Sequence, residues 1–375
     1  MAARSVAPRV LFLFTEVCAN GGIQRFNQTI LDSCGRLGVQ CRVLSLNDSP
    51  TSIARHLTHG NLSIAGFSGN RRRFALAVAG ALMRGRYDRV FIGHVNFLLL
   101  AIAVLALRPF NQAPTMLIAH GIEVWSGIGR ARRYALSRTT DILCVSNYTR
   151  RRILEQAPAL IADRLIRFPN ALADTWGRVV PAPPARSLPA HFILSVTRLD
   201  RGDRYKGIAT VIEAFSMLAD DSMQYFVVGQ GNDLSFLQLV AERCGVKDRV
   251  HFMSGVSDSE LIALYQKCEA FVLPSGKEGF GIVFLEAMFF SAPVIAAREK
   301  GAVDVVRDGD TGLSVPFGDT IAIKEAIERI VSDTQLREHV RANGRALVIE
   351  GGPFTFAGFT QRCAQVFEVG EPIVA

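Results

Sequence analysis

The amino-acid sequence predicts an α/β protein in which two open parallel sheets are each wrapped by helices. Strand and helix signals alternate through both halves of the chain, which is the pattern of parallel sheets with crossover helices. The 375 residues are 49% hydrophobic and 20% charged, which is enough apolar material for two domains with separate cores. Four prolines between Val179 and His191 indicate an extended linker. We therefore place an N-terminal domain at 1–180, a C-terminal domain at 190–352 and a terminal segment at 353–375.

The strands of the first domain are predicted from short apolar runs that end at glycine, proline or polar residues. A glycine pair, Gly21-Gly22, follows the first of them and opens a helix that extends to about Arg36. The apolar run Phe97–Leu107 is interpreted as a buried helix, because its eleven residues span only about 16 Å as helix, roughly half of a bilayer core. The strands are Arg9–Phe14, Gln40–Leu46, Arg89–Gly93, Thr115–Ala119, Ile142–Val145 and Leu165–Phe168.

The second domain repeats the same order of strand and helix, so we expect a second parallel sheet. Its strands are Phe192–Thr197, Gln224–Val228, Val250–Met253, Ala270–Pro274 and Pro293–Ala297. Helices are predicted between them at Ile208–Leu218, Asn232–Cys244 and Asp258–Cys268.

The stretch 275–288 places two carboxylates across a strand-to-helix junction. Gly279 and Gly281 form a loop that opens a helix, with Glu278 in the loop and Glu286 one or two turns into the helix. Amides at a helix start lack partners and carry the positive end of the helix dipole, so this loop suits an anionic or hydroxyl-rich ligand. Alternatively, Glu278 only complements the helix start and Glu286 is solvated. The apolar run around the second carboxylate argues against that alternative.

Several cations follow the first strand of the second domain, at the edge where open α/β sheets bind ligands. Arg198 offers a planar fork and Lys206 a point charge, which together could neutralise two phosphates. Arg201 or Arg204 could share this role. The competing interpretation is ordinary surface charge.

Two features of the first domain lie at the corresponding edge. Gly21 and Gly22 leave bare amides that a pyrophosphate could approach, although a tight turn explains a glycine pair equally well. His120 follows the strand Thr115–Ala119. A lone histidine in such a place is more often structural than catalytic.

Charge is divided unevenly between the halves of the chain. Residues 1–185 contain 23 arginines, no lysine and nine acidic residues, a net charge of +14, whereas 186–375 carry −6. Arginine clusters at 71–73 and 150–152 adjoin helical stretches. Such basic edges suit the anionic inner face of a membrane or a phosphate-bearing acceptor. Nucleic acid is a weaker candidate because no nucleic-acid module and no interleaved aromatics are present, and a solvated arginine-rich face is the remaining alternative.

Cysteine usage and apolar runs bear on the compartment. The seven cysteines are scattered and form no Cys-x-x-Cys pair, which favours reduced thiols in a cytoplasmic protein. The run Val10–Phe14 is short and is followed by Glu16, so we expect a strand there and no secretory signal. Asp308 and Asp310 have the spacing of a metal-binding pair but lie in a hydrophilic turn. Because the cations described above already supply positive charge, we expect no metal.

The stretch 275–288 resembles the signature of the retaining nucleotide-sugar glycosyltransferases of family 4, in which seven residues separate two glutamates. The loop from Arg198 to Lys206-Gly207 is similar to the diphosphate clamp of that family, although it is longer by 201–203. The resemblance covers most of 190–320 and scattered loops of the first domain.

This resemblance implies a GT-B architecture, in which two Rossmann-like domains face one another across a cleft. The second domain would bind the nucleotide and the first the acceptor, and the last helix, Phe356–Phe367, would cross back to the first domain. No cofactor is implied beyond the donor substrate, a UDP- or GDP-sugar.

The resemblance also implies roles for individual residues. Glu286 would hold the ribose hydroxyls and Glu278 the sugar hydroxyls, while His120 would contact the sugar near the reacting centre. The implied catalytic residues are His120, Arg198, Lys206 and Glu278. The implied donor-binding residues are Gly21, Gly22, Arg198, Lys206, Glu278, Gly279, Phe280, Gly281 and Glu286.

The expected reaction is therefore metal-independent transfer of a hexose of the mannose or glucose type, with retention at the anomeric carbon. A saccharide acceptor, lipid-linked because the first domain is cationic, would place the protein at the inner face of the cytoplasmic membrane, in polysaccharide or lipopolysaccharide biosynthesis. A GT-B sugar-nucleotide epimerase and a non-catalytic nucleotide-sugar-binding protein are the alternatives.

Overall fold

A computed structural model of the chain describes residues 7–19, 21–54, 60–107, 113–125, 127–157, 162–177 and 188–368. The predicted linker 179–191 lies for the most part outside these residues. Two compact units are present: the first combines the described residues up to Ala173 with those from Phe356 onward, and the second comprises Asp174–Thr355.

The first unit is built on a seven-stranded parallel sheet with the order β3-β2-β1-β4-β5-β6-β7. Its central strands are buried on both faces, which is typical of a parallel sheet covered by helices. The strands are β1 Arg9–Phe14, β2 Gln40–Ser45, β3 Leu62–Gly66, β4 Arg89–Ile92, β5 Thr115–Ala119, β6 Asp141–Cys144 and β7 Leu165–Arg167.

The helices of the first unit pack a large apolar core against the sheet. Residues of α3, α4, α6 and α7 share the large core with Leu11 and Leu13 of β1, while α1 packs against the C-terminal helix α14. The helices are α1 Gly22–Arg36, α2 Pro50–Ala54, α3 Arg71–Arg84, α4 Leu98–Ala106, α5 Ile122–Trp125, α6 Arg130–Ser137, α7 Asn147–Gln156 and α14 Phe356–Phe367.

The second unit has a six-stranded parallel sheet with the order β10-β9-β8-β11-β12-β13. Its strands are β8 Phe192–Val196, β9 Gln224–Val228, β10 Val250–Met253, β11 Ala270–Leu273, β12 Val294–Ala297 and β13 Leu313–Val315. Its helices are α8 Ile208–Phe215, α9 Leu234–Arg243, α10 Asp258–Lys267, α11 Ile282–Phe289, α12 Thr320–Ser332 and α13 Thr334–Ala346. The predicted α/β class with two Rossmann-like sheets is therefore confirmed.

Two expectations about single elements need correction. The run Phe97–Leu107 forms a helix that is buried on one face only: Leu98 and Ala101 of α4 lie in the core, whereas Leu99 is 42% exposed and Leu107, just after the helix, 72% exposed. Strands β3 and β13 were not predicted, because β3 is a half-exposed edge strand and β13 has only three residues. Within the described residues, no helix has the length and apolarity needed to cross a membrane, and all seven cysteines are unpaired thiols.

Candidate active site

The second unit brings the two most informative stretches of the sequence to one edge of its sheet. From the neighbouring strands β8 and β11, the strand order proceeds in opposite directions. The loop after β8 carries Arg198 and Lys206, and the loop after β11 carries Glu278. Open α/β sheets bind ligands outside the carboxyl ends of their strands at such a reversal. The topology therefore gives these three side chains a common edge.

Lys206 and Glu278 lie in direct contact at this edge. The Nζ atom of Lys206 is 2.7 Å from Oε2 of Glu278, and only 16% and 14% of the two side chains are exposed. Gly207 permits the contact: its φ is +79°, and a Cβ atom there would lie 2.9 Å from the carbonyl oxygen of Pro274. Any other residue would be strained and would collide with this backbone. A cation and an acid predicted as separate ligand contacts are thus one ion pair.

The helix after Glu278 begins on a glycine. Gly281 has a φ of +91°, and no hydrogen bond from a side chain among the described residues caps α11 there. The first amides of α11 are therefore available to a ligand oxygen. Phe280 anchors the loop, since it is 2% exposed and its ring meets that of Phe354 edge-on at 5.3 Å.

Glu286 lies on the second turn of α11 and is 8% exposed. Its Oε2 atom accepts a hydrogen bond of 3.3 Å from the hydroxyl of Tyr265, on α10. The alternative in which Glu286 is a solvated surface residue is therefore wrong. A buried carboxylate with a fixed orientation is suited to bind hydroxyl groups.

Arg198 is the most accessible cation of the predicted clamp. Its Nη2 atom lies 3.1 Å from Oδ2 of Asp203, and 65% of its side chain is exposed. The same Asp203 carboxylate hydrogen-bonds the hydroxyl of Tyr205; burial, followed by this bond, raises the pKa of that phenol. Asp203, in the segment that lengthens the loop, therefore holds both Arg198 and Tyr205.

Arg204 is engaged elsewhere. Its Nε and Nη2 atoms each lie 2.7 Å from the carboxylate oxygens of Asp233, and its guanidinium is 3.8 Å from the ring centroid of Phe236. This bidentate pair lowers the pKa of Asp233. Arg201, whose side chain is exposed, is thus the better candidate for an extra cation. Asp233 was not singled out from the sequence, where only its position at the start of a helix marks it.

The first unit has an analogous reversal between β1 and β4. Gly21 and Gly22 follow β1, and Gly22 is the first residue of α1. A Cβ atom on Gly22 would meet no atom within 4 Å, so the backbone is open on that side. Asp48, which was not among the predicted site residues, shapes this loop by accepting hydrogen bonds from the amides of Val17 and Cys18 at 2.7 and 3.1 Å.

His120 follows β5 and is buried, with only 8% of the residue exposed. Its ring packs edge-on against Phe26 at 5.1 Å and bonds the carbonyl of Gly93, while Nε2 is buried without a partner among the described residues. Burial, followed by the nearby His94, lowers the pKa of His120 to about 3. The imidazole is therefore neutral at physiological pH and can accept a hydrogen bond through Nε2.

Glu123 fixes the loop that carries His120. Its Oε1 atom accepts hydrogen bonds from the amides of His120 and Gly121 at 2.6 and 3.1 Å. Burial raises the pKa of Glu123. The structure therefore explains the glutamate three residues after the histidine as a support for the loop.

Asp308 and Asp310 both have hydrogen-bond partners within the protein. Oδ1 of Asp308 accepts from the amide of Ser314 at 2.7 Å, and Asp310 binds Arg307 and Asn343 at 2.6 and 2.7 Å. In the part of the chain that the structure describes, no group of three or more His, Cys, Asp or Glu side chains could hold a metal ion.

Two Rossmann-like units, each built on a parallel sheet whose strand order reverses, are the architecture of a GT-B fold. Residues 20–173 match the family Glycosyltransferase Family 4, and 185–347 match Glycosyl transferases group 1. The chain therefore belongs to the glycosyltransferases of group 1 and family 4.

Individual relatives are consistent with that assignment. The chain is 32% identical over 267 residues to a GDP-mannose-dependent alpha-(1-6)-phosphatidylinositol monomannoside mannosyltransferase of Mycobacterium tuberculosis, covering 66% of this chain and 68% of that protein. It is 31% identical over 215 residues to the lipopolysaccharide core biosynthesis glycosyltransferase LpsE of Rhizobium meliloti, covering 57% and 61%. Among solved structures, HepE of Anabaena in complex with UDP and glucose has a TM-score of 0.77 at 18% identity, over 96% of this chain and 99% of that one.

Proposed function

We propose that this glycosyltransferase moves a hexose of the mannose or glucose type from a UDP- or GDP-sugar to a saccharide acceptor, with retention at the anomeric carbon. The observation that carries the proposal is the contact between Lys206 and Glu278, 2.7 Å apart at the reversal point of the second sheet. A diphosphate needs the ammonium and a sugar needs the carboxylate as hydroxyl acceptor. GDP-mannose, which the name of the M. tuberculosis relative gives as its donor, and UDP-glucose, which is bound in another HepE complex, belong to the same chemical class.

The proposed roles follow the chemistry of each side chain. Arg198 and Lys206 neutralise the charge that develops on the leaving diphosphate, together with the free amides at the start of α11. Glu278 orients the sugar hydroxyls, and the buried Glu286 accepts from the ribose hydroxyls.

The first unit has proposed roles as well. The amides of Gly21 and Gly22 are assigned to the diphosphate, and neutral His120 to a sugar hydroxyl. The leaving phosphate oxygen takes the proton of the acceptor hydroxyl as the new glycosidic bond forms and the bond to the diphosphate breaks. Neither a metal ion nor a cofactor has a role in this proposal.

Calorimetric titration with UDP and GDP, without added metal, tests the donor site. We expect one of the two diphosphates to bind, and Lys206→Ala to weaken that binding at least about tenfold, since a charged hydrogen bond contributes about 1.5–3 kcal/mol. Lys267→Ala is the matched control. Lys267 is exposed and lies before β11, at the opposite end of this strand from Glu278. The proposal would be overturned if the wild-type protein bound neither UDP nor GDP.

We further propose a lipid-linked acceptor at the anionic inner face of the cytoplasmic membrane, within polysaccharide or lipopolysaccharide biosynthesis. Helix α3 begins with three exposed arginines, 71–73, and presents Leu76 with 74% and Met83 with 44% of the residue exposed. Exposed apolar side chains bordered by arginines suit a bilayer surface with anionic headgroups. The names of the M. tuberculosis relative and of LpsE point to lipid and lipopolysaccharide substrates of those proteins.

A further inference from the structure

Lysines are rare in this chain, and half of them converge beside the proposed donor site. The sequence has six lysines; Lys206, Lys277 and Lys300 come from the loops after β8, β11 and β12, three strands that are neighbours in the sheet. Lys206 has the acidic partner Glu278. Lys277 and Lys300 do not belong to the predicted clamp.

Tyr205 connects Lys277 with the predicted clamp. The Nζ atoms of Lys206 and Lys277 each lie 5.5 Å from the centroid of the Tyr205 ring. Lys277 is exposed, and no carboxylate within the described residues forms an ion pair with it. Two ammonium groups therefore share one aromatic ring, and only one of them is neutralised.

Lys300 is held toward the same loop. Its Nζ atom donates to the carbonyl oxygen of Gly276, and the amide of Gly276 donates in turn to the carbonyl of Tyr205 at 2.7 Å. Burial, followed by the charge of Lys277, lowers the pKa of Lys300, and the nearby Glu299 offsets part of this effect. The positive charges of Lys277 and Lys300 therefore repel each other.

The backbone at Lys300 is also unfavourable. Its φ is +62°, a conformation that residues with a side chain avoid. Phe317 encloses this region, because its ring lies against Gly276 and its amide donates to Oε1 of Glu299 at 3.2 Å. Backbone strain and like-charge repulsion cluster at ligand sites, where a bound group of opposite charge compensates for them.

We propose that Lys277 and Lys300 form a second anion position, contiguous with the donor site, that binds an oxyanion of the donor substrate. This inference rests on the proposed function. The oxyanion has two possible sources: the leaving diphosphate or a carboxylate carried by the transferred sugar. In either case the lysines are donor-binding residues in addition to the Arg198 and Lys206 clamp.

The test uses calorimetry with three ligands, namely the nucleoside diphosphate that the wild-type protein binds, its neutral hexose conjugate and its hexuronic acid conjugate. The variants are Lys277→Gln and Lys277→Gln/Lys300→Gln, with Lys267→Gln as the matched control. We expect each of the two test variants to lower affinity for at least one ligand by about fivefold or more, as loss of a charged contact predicts. The single variant removes only an exposed side chain, so its result does not depend on how Lys300→Gln folds.

The pattern across ligands identifies the source of the oxyanion. An equal loss for all three ligands assigns the lysines to the diphosphate, whereas a loss confined to the hexuronic acid conjugate assigns them to a sugar carboxylate. Unchanged affinities in both variants, with wild-type binding intact, would overturn this inference and leave the proposed function standing. No binding by the wild-type protein would instead overturn the proposed function.

Discussion

The contact between Lys206 and Glu278 depends on one backbone position. Gly207 has a φ of +79° and lies against the carbonyl of Pro274. We expect Gly207→Ala to destabilise the second unit by about 1–3 kcal/mol through strain and collision, and to weaken nucleotide binding by displacing Lys206. Urea unfolding and calorimetry measure the two effects. Gly202→Ala, in the same loop but with open space around its Cβ, should change stability by less than about 0.5 kcal/mol.

His120 makes the stability of the first unit depend on pH. The folded protein holds the pKa of His120 near 3, below its unfolded value. The contribution of the neutral imidazole to the free energy of unfolding is therefore fully present above pH 6.5. It declines as the pH falls toward 3, because the unfolded chain binds a proton that the folded protein excludes. For this one group the loss between pH 7.5 and 5 is up to about 2 kcal/mol.

Substitution isolates this contribution. His120→Asn should lower stability at pH 7.5 and flatten its decline toward pH 5, as measured by urea unfolding at both pH values. His339→Asn, at an exposed position, should leave the slope unchanged. A wild-type slope retained in His120→Asn would show that other groups cause the pH dependence.

Among the elements, helix α14 follows the second unit in sequence but belongs to the first. Phe359 is fully buried against Phe26 of α1 and Phe168 after β7, with ring centroids 5.6 and 5.0 Å apart, and Thr360 hydrogen-bonds Ser33 at 3.0 Å. We expect Phe359→Ala to destabilise the first unit by about 3–5 kcal/mol.

Single-tryptophan variants can locate that loss. The chain has two tryptophans, both buried, Trp125 in the first unit and Trp176 in the second. Phe359→Ala should shift the unfolding midpoint reported by Trp125, in a Trp176→Phe background, more than the midpoint reported by Trp176 in a Trp125→Phe background. Equal shifts would mean that the two units unfold together.

Strand and helix patterns predicted most elements because each crossover unit is locally consistent. The predicted strands Thr115–Ala119, Gln224–Val228 and Val250–Met253 have the observed bounds. The failures have physical causes. Edge strand β3 lacks a continuous apolar run. Which face of α4 is exposed depends on the neighbours that cover the other face, and periodicity in an all-apolar run cannot reveal this.

The site was predictable in part, because the carboxyl ends of parallel strands all lie at one edge of the sheet. Arg198, Lys206 and Glu278 could be assigned to that edge from the sequence, but not their partners. The pairing of Arg204 with Asp233 at 2.7 Å joins residues 29 positions apart, and no local pattern specifies it. The contact of Lys300 with Gly276 likewise depends on how two loops pack.

At the scale of the whole molecule, the charge division between the halves makes a prediction about membranes. Arginines 71–73 lie at the start of α3, beside the exposed Leu76. Each cation near an anionic surface contributes about 1 kcal/mol, so replacing all three by glutamine should weaken binding to phosphatidylserine-containing vesicles by about 100-fold. Cosedimentation at 0.1 M salt measures this, and binding should weaken further as salt increases.

A matched variant separates location from total charge. Arg243→Gln, Lys267→Gln and Arg329→Gln together remove three exposed cations from the second unit, so the net charge falls equally. If vesicle binding depends on the arginine-rich face of the first unit, this variant should bind vesicles nearly as well as the wild type. Leu76→Ser should bind less tightly at every salt concentration, because salt does not screen the apolar contact that it removes. Equal losses in both triple variants would instead show that membranes sense only net charge, and the lipid-linked acceptor would lose its structural support.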